Sequence, residues 1–263
     1  MTQENLSDTV RLHSPAPHVA VITIDRPEAR NAVSASVAEG IDRALTLTEA
    51  DPDTWVVVLT GAGGKAFCAG ADLKEVAAGR ATTLGTPRGG FAGFVNYPRE
   101  KPWIAAVEGF ALGGGFEIVL TCDMVVAAET ATFGLPETSR GLMAAAGGVY
   151  RLPRLLPRNI AIELIATGKV LSAMQAHAHG LVNRVASPGS ALDVAVELAQ
   201  AVAKCAPVAV RESLKVARVA ADMTDAELRV VMRQAFERNA SAEDYREGPR
   251  AFLEKRAPQW LGR

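Results

Sequence analysis

The sequence predicts an α/β chain: a spiral of strand–turn–helix (ββα) units followed by a helical C-terminal region. Three observations predict it. Apolar, β-branched runs recur through the first half, two of them end in glycine-rich segments, and from about residue 158 the pattern turns mostly helical.

The elements follow in order. Val19 to Ile24 (VAVITI) reads as a buried strand stopped at Arg26-Pro27. Val37, Ile41, Leu45 and Thr48 recur at helical spacing, with Asp51-Pro52 as the stop. Trp55 to Leu59 (WVVVL) is a second buried strand, closed by GAGGKAFCAGAD. Trp103 to Val107 (WIAAV) is a third, closed by EGFALGGGFE, and Met124 to Ala127 is a short fourth. Leu181 to Val185 is strand-like. One apolar helical stripe follows at Ala191, Val194, Ala195, Leu198 and Val202, and another at Leu228, Val231, Met232 and Ala235. Residues 79–97 carry five glycines and little periodicity, which suits either a mobile loop beside a site or a tolerated surface loop. The expected organisation is a core over residues 1–205 and a helical region over 206–263 that packs on the core or on another subunit.

Composition excludes several classes. The 263 residues are 49% hydrophobic and 22% charged, with a formal net charge of −1 and no block of five or more like charges. A grip on nucleic acid or an anionic membrane needs concentrated Lys and Arg, so neither is expected. Three cysteines at unrelated spacings, Cys68, Cys122 and Cys205, make no disulfide framework and fit a reducing compartment. The opening MTQENLSDTV lacks a basic start followed by an apolar run, and Glu117 and Asp123 interrupt the most apolar stretch. A cytoplasmic protein without membrane spans is the expectation.

The chemistry concentrates at three places: Cys68-Ala69-Gly70-Ala71-Asp72, Leu112-Gly113-Gly114-Gly115-Phe116-Glu117, and Phe133-Gly134-Leu135-Pro136-Glu137. A helix start exposes unpaired N–H groups, and glycine lets a bound group approach them. Two such starts facing each other would supply converging donors for a negative oxygen, although the same glycines also suit plain tight turns. Glu117 lies in an apolar segment, where burial raises a carboxyl toward the working range of a general acid or base. A glutamate there also complements the helix dipole. Glu137 follows Pro136 at a loop-like stop, where a lone glutamate is usually solvated.

The ordered set of motifs resembles the enoyl-CoA hydratase (crotonase) superfamily. The run from Lys101-Pro102-Trp103 through Gly113-Gly114-Gly115-Phe116-Glu117 to Cys122-Asp123 carries the resemblance. It is joined by Asp25-Arg26-Pro27 with Asn31-Ala32, Ala69-Gly70-Ala71-Asp72, Phe133-Gly134-Leu135-Pro136-Glu137, Ala146-Gly147-Gly148 with Arg151-Leu152-Pro153, and Gly180-Leu181-Val182 with Val185.

The resemblance implies a crotonase-like spiral, with the N–H groups of Ala69 and Gly114 as an oxyanion hole for a thioester carbonyl. It implies Glu117 and Glu137 as the catalytic pair for reversible hydration of a 2-enoyl-CoA, Glu137 as acid and Glu117 as base. Substrate contacts are expected from Arg26, Lys65, Ala69, Gly70, Ala71, Asp72, Gly114 and Ala145, with Lys74 as a further cation for the coenzyme A phosphates. No cofactor or metal is expected, coenzyme A being part of the substrate. His177 and His179 alone are a weak zinc pattern. Family members assemble as trimers or hexamers, and the C-terminal stripes with Arg218, Arg229, Arg233 and Arg238 suit an interface.

The chain departs from many hydratases in having Ala144-Ala145 before Ala146-Gly147-Gly148 and Val149-Tyr150 after it. Residues 141–150 also resemble the carnitinyl-CoA dehydratase-like branch. The competing readings are that activity, double-bond isomerisation on the same scaffold, or a non-catalytic RNA- or metabolite-binding member.

Overall fold

The computed structural model describes residues 4–263. Two sheets grow together along the chain. The larger contains β1 (Glu4–Ser7), β2 (Val10–Ala16), β3 (Val19–Ile24), β4 (Val56–Gly61), β8 (Trp103–Val107), β10 (Met124–Ala128) and β13 (Arg184–Ala186), in that spatial order. The smaller runs β12 (Val170–Ser172), β11 (Thr132–Gly134), β9 (Phe110–Leu112), β5 (Ala66–Cys68). From β3 to β13 the large sheet is parallel, as crossover connections require.

Each turn of the spiral gives one strand to each sheet and then a helix. β4 and β5 precede α2 (Leu73–Ala77), and β8 and β9 precede α3 (Gly114–Val119). β10 and β11 precede a 3₁₀ turn at Pro136–Arg140 and then α4 (Gly148–Leu155). In the first unit Val33 alone takes the place of the second strand, bridging Ala71 before α1 (Ala35–Ala50) begins at its Ser34 cap. The short strands β5 and β9 lie inside the segments that the sequence presents as glycine-rich junctions.

The runs VAVITI and WIAAV are buried at every position because both sheet faces are covered. Ile22, Leu59, Trp103 and Ala105 face the core shared with the second sheet and α1. Val21, Val58, Ile104 and Ala106 face α7 (Ala191–Ala203) on the other side. Ala191, Ala195 and Ala199 recur every four residues on α7, and these small side chains let the helix lie close to the sheet.

Helices α5 (Arg158–Thr167) and α6 (Ala173–Ala178) flank β12. Beyond α7 lie α8 (Pro207–Val219), α9 (Asp225–Ser241) and α10 (Asp244–Leu253). Arg218 of α8 pins this region to the core. Its guanidinium donates to both Asp123 oxygens at 2.8 Å and to the carbonyls of Arg99 and Lys101 at 2.7 and 2.9 Å. Of the predicted stripe on α9, Ala235 is buried, whereas Met232 is 55% exposed beside Phe236 at 56%.

Residues 79–97 are neither a free loop nor a bare surface. They form a 3₁₀ turn at Ala81–Leu84 and a two-residue hairpin, β6 (Gly85–Thr86) with β7 (Gly90–Phe91). Leu84, Ala92, Phe94, Val95 and Tyr97 are buried in the core. The glycines hide this from a periodicity reading. No helix among the described residues is long and apolar enough to cross a membrane.

Candidate active site

Two backbone segments meet at the site with no side chains between them. Gly113 (φ 56°, ψ −129°) turns the chain from β9 into α3, and its N–H donates to the Gly134 carbonyl at 2.9 Å. Gly70 (φ +91°) turns the chain after β5, so close that a Cβ there would stand 2.9 Å from the Leu112 oxygen and 3.0 Å from the Gly114 nitrogen. Beneath this contact, a Cβ on Gly115 would stand 2.1 Å from the Cys68 carbonyl oxygen. Only glycine permits either approach.

The amides at this junction correct one expectation. The Ala69 N–H donates to the Arg30 carbonyl at 3.0 Å, so it is not available to a ligand. Gly70 turns the chain, and at the next residue the Ala71 N–H has no acceptor. Its neighbours are engaged with Val33, which donates to the Gly70 carbonyl at 2.8 Å and accepts from Asp72 at 2.9 Å. Gly114, as the first residue of α3, likewise has an N–H without an acceptor. The free pair is therefore Ala71 and Gly114. Ala71 was expected as a substrate contact but not as an oxyanion donor, because no local pattern reveals which of two alternate amides a distant carbonyl engages.

Glu117 lies one turn into α3 and is 3% exposed. Its Oε1 accepts the Gly148 N–H at 2.7 Å. Burial pushes its carboxyl up to about 7, and the charge of Glu137 adds to the rise. The Gly148 and Ala146 N–H groups and the Arg151 cation oppose it. Glu137, on the 3₁₀ turn, is also raised by burial, against its own N–H and Arg140. Its Oε1 lies 3.0 Å from where a Gly113 Cβ would be, and its Oε2 is buried with no partner. Two carboxyls raised toward neutrality thus stand against the helix start that carries the free Gly114 amide. The solvated loop glutamate that the local sequence of Glu137 suggests does not occur.

Two features were assigned no role in the sequence. The Phe91 ring covers Gly114 so closely that a Cβ there would stand 2.4 Å from the ring. Arg151 donates to the carbonyls of Ala146 at 2.8 Å and Val95 at 2.7 Å. Ala145 borders a cavity of about 390 Å³ with Phe91, Val95, Asn96, Ala146 and Tyr150.

Other expected contacts are placed differently. Arg26 donates to the Ala32 carbonyl at 2.9 Å and pairs with Asp72 at 3.2 Å. Asp72 in turn caps α2 through the Lys74 N–H. These two hold the Ala69–Asp72 turn in place, and their charges are largely spent on each other. Lys65 is exposed on the turn leading into β5. His177 Nδ1 bonds the Val182 carbonyl at 2.8 Å. Among the described residues no group of three or more His, Cys, Asp or Glu is placed to hold a metal ion.

The chain is similar to known proteins over nearly its whole length. The family model described as enoyl-CoA hydratase/isomerase matches residues 16–263. A mevalonyl-coenzyme A hydratase of Aspergillus fumigatus is 42% identical over 94% of this chain and 92% of its own. A carnitinyl-CoA dehydratase of Salmonella typhi is 41% identical over 98% of this chain and 100% of its own. The crystal structure of an enoyl-CoA hydratase from Mycobacterium tuberculosis H37Rv superposes with a TM-score of 0.92 at 40% identity, over 97% of this chain and 99% of that one.

Proposed function

Because the chain belongs to the enoyl-CoA hydratase/isomerase family, we propose that it adds water reversibly to a 2-enoyl-CoA, forming the 3-hydroxyacyl-CoA, with Glu117 and Glu137 as the proton-transfer pair. One observation carries the assignment: two carboxyls raised by burial stand beside two amides that have no acceptor. The thioester oxygen sits between the N–H groups of Ala71 and Gly114. Water attacks the β-carbon as Glu117 takes its proton, and the π electrons move toward the thioester oxygen. Glu137 delivers a proton to the α-carbon, the carbonyl re-forms, and the two carboxyls return to their starting states by exchanging one proton. One oxyanion donor is worth about 10²–10³ in rate, and each positioned acid or base about 10²–10⁴.

The test is hydration of crotonyl-CoA and of longer and branched enoyl-CoA thioesters, followed as loss of conjugated-thioester absorbance. Absence of turnover across the whole panel overturns the reading. An acyl-CoA complex tests the amide assignment, which requires the thioester oxygen within hydrogen-bond distance of Ala71 and Gly114 while Ala69 stays bonded to Arg30.

A second reading keeps the chemistry and changes the acyl group. Tyr150 and Asn96 border the cavity beside Ala145, and two relatives are named for acyl groups bearing polar substituents. Comparing crotonobetainyl-CoA with crotonyl-CoA separates the two. Isomerisation and RNA binding have no comparable support. The exposed apolar side chains Met232, Phe236, Phe252 and Leu253 support assembly of residues 206–263 into a homotrimer or hexamer. Sedimentation as a monomer at micromolar concentration removes that proposal. The free cysteines Cys68, Cys122 and Cys205 support a cytoplasmic, reducing setting.

A further inference from the structure

We propose that Arg151 is a positioning residue: its guanidinium ties the loop that holds Glu117 to the segment that roofs Gly114, so that one side chain sets the geometry of both halves of the site. This rests on the reading of Glu117 as the carboxyl that moves the proton.

The geometry is a two-point clamp. One terminal nitrogen donates to the Ala146 carbonyl at 2.8 Å and the other to the Val95 carbonyl at 2.7 Å. The first contact fixes the stretch Ala146–Gly148, whose last N–H donates to Glu117 Oε1 at 2.7 Å. The second fixes the segment in which Phe91 covers Gly114. Residue 147 makes room for the clamp. Its φ is +114°, and a Cβ there would stand 1.9 Å from the Arg151 nitrogen, so the loop is shaped around the guanidinium. A planar fork with two separated donors bridges two carbonyls in a way a single ammonium does not. Arg151 is on α4, which is fixed to the core through buried Leu152, so the clamp refers two glycine-rich segments to one rigid element. Arg151 also faces Glu117 as a positive charge, Glu137 being the charged group that acts on it in the opposite sense.

Two variants test this against the wild-type enzyme hydrating its best enoyl-CoA. Arg151→Met removes clamp and charge. Its expected effects are a fall in kcat of at least about tenfold, a KM within about threefold, and an acid limb of the pH–rate profile moved to higher pH. Arg151→Lys keeps the charge but reaches one carbonyl, so kcat falls with the acid limb unmoved. A loss wholly in KM, wild-type kcat in the Lys variant, or an unmoved acid limb in the Met variant overturns the proposal. So does loss of folding in both variants, because the guanidinium would then hold the fold rather than the site. Wild-type protein that hydrates no enoyl-CoA refutes the functional reading instead.

Discussion

Replacing Glu117 with Gln should lower the hydration rate by at least about 100-fold and, at pH 8, make the protein more stable. Burial raises this carboxyl from an ordinary 4.5 to about 7. Between those values the folded protein keeps a proton that the unfolded chain has released, so stability falls as pH rises through this window and stays lower above it. Below about 4.5 the group is neutral in both states and the loss is absent. The span from 4.5 to about 7 corresponds to about 3 kcal/mol at about 1.4 kcal/mol per pH unit. Gln avoids that loss because it carries no charge. It still accepts the Gly148 N–H as the protonated carboxyl does, and the extra strength of that bond to the carboxylate is already contained in the value of about 7. The net gain at pH 8 is about 3 kcal/mol, or about 6–12 °C in Tm for a chain of this size. Thermal and urea denaturation of both proteins at pH 5 and pH 8 measures it, with most of the advantage gone at pH 5. A Gln variant that is less stable at pH 8, or a difference that does not change with pH, refutes the argument that Glu117 is held at the expense of stability.

The remaining predictions concern the chemistry and the close backbone contacts. Glu137→Gln should lose at least about 100-fold in kcat with acyl-CoA affinity kept, as measured by steady-state kinetics and a binding titration; unchanged turnover removes Glu137 from the mechanism. In the hydration direction the base must be ionised, so kcat/KM should rise with pH through about 7, and an acid limb near 4.5 would mean that a solvated carboxylate does the work. Gly115→Ala places a Cβ 2.1 Å from the Cys68 carbonyl oxygen. Because that oxygen belongs to backbone, α3 must shift off β5, with a loss of about 2–3 kcal/mol in denaturant titration; a variant of wild-type stability contradicts the close contact.

Much of the architecture was legible. VAVITI, WVVVL and WIAAV identify themselves because parallel strands covered on both faces need unbroken apolar runs. The helix at Ala35–Ala50 shows in the spacing of Val37, Ile41 and Leu45. The second sheet was not legible. Its strands are three residues each, Ala66–Cys68 and Phe110–Leu112 among them, too short for a period and embedded in glycine-rich sequence. Residues 79–97 read as loop because their glycines interrupt any pattern, although Phe94 is fully buried. At the site, Glu117 could be read from its apolar surroundings, whereas the local sequence of Glu137 suggested a solvated residue and the resemblance alone gave it a role.

By itself the sequence determined which chemical groups exist and in what order. It provides two glutamates, two glycine-rich turns that let backbone approach backbone, and apolar runs sufficient to bury them. Tertiary structure alone decided which of those groups are free to act. Ala69 and Ala71 are the same residue two positions apart, yet one amide is occupied by the carbonyl of Arg30 and the other is not. Arg26 and Asp72 lie 46 residues apart and satisfy each other. A hydrogen bond saturates its donor, and whether a donor is saturated depends on partners brought from far along the chain, which no local pattern records.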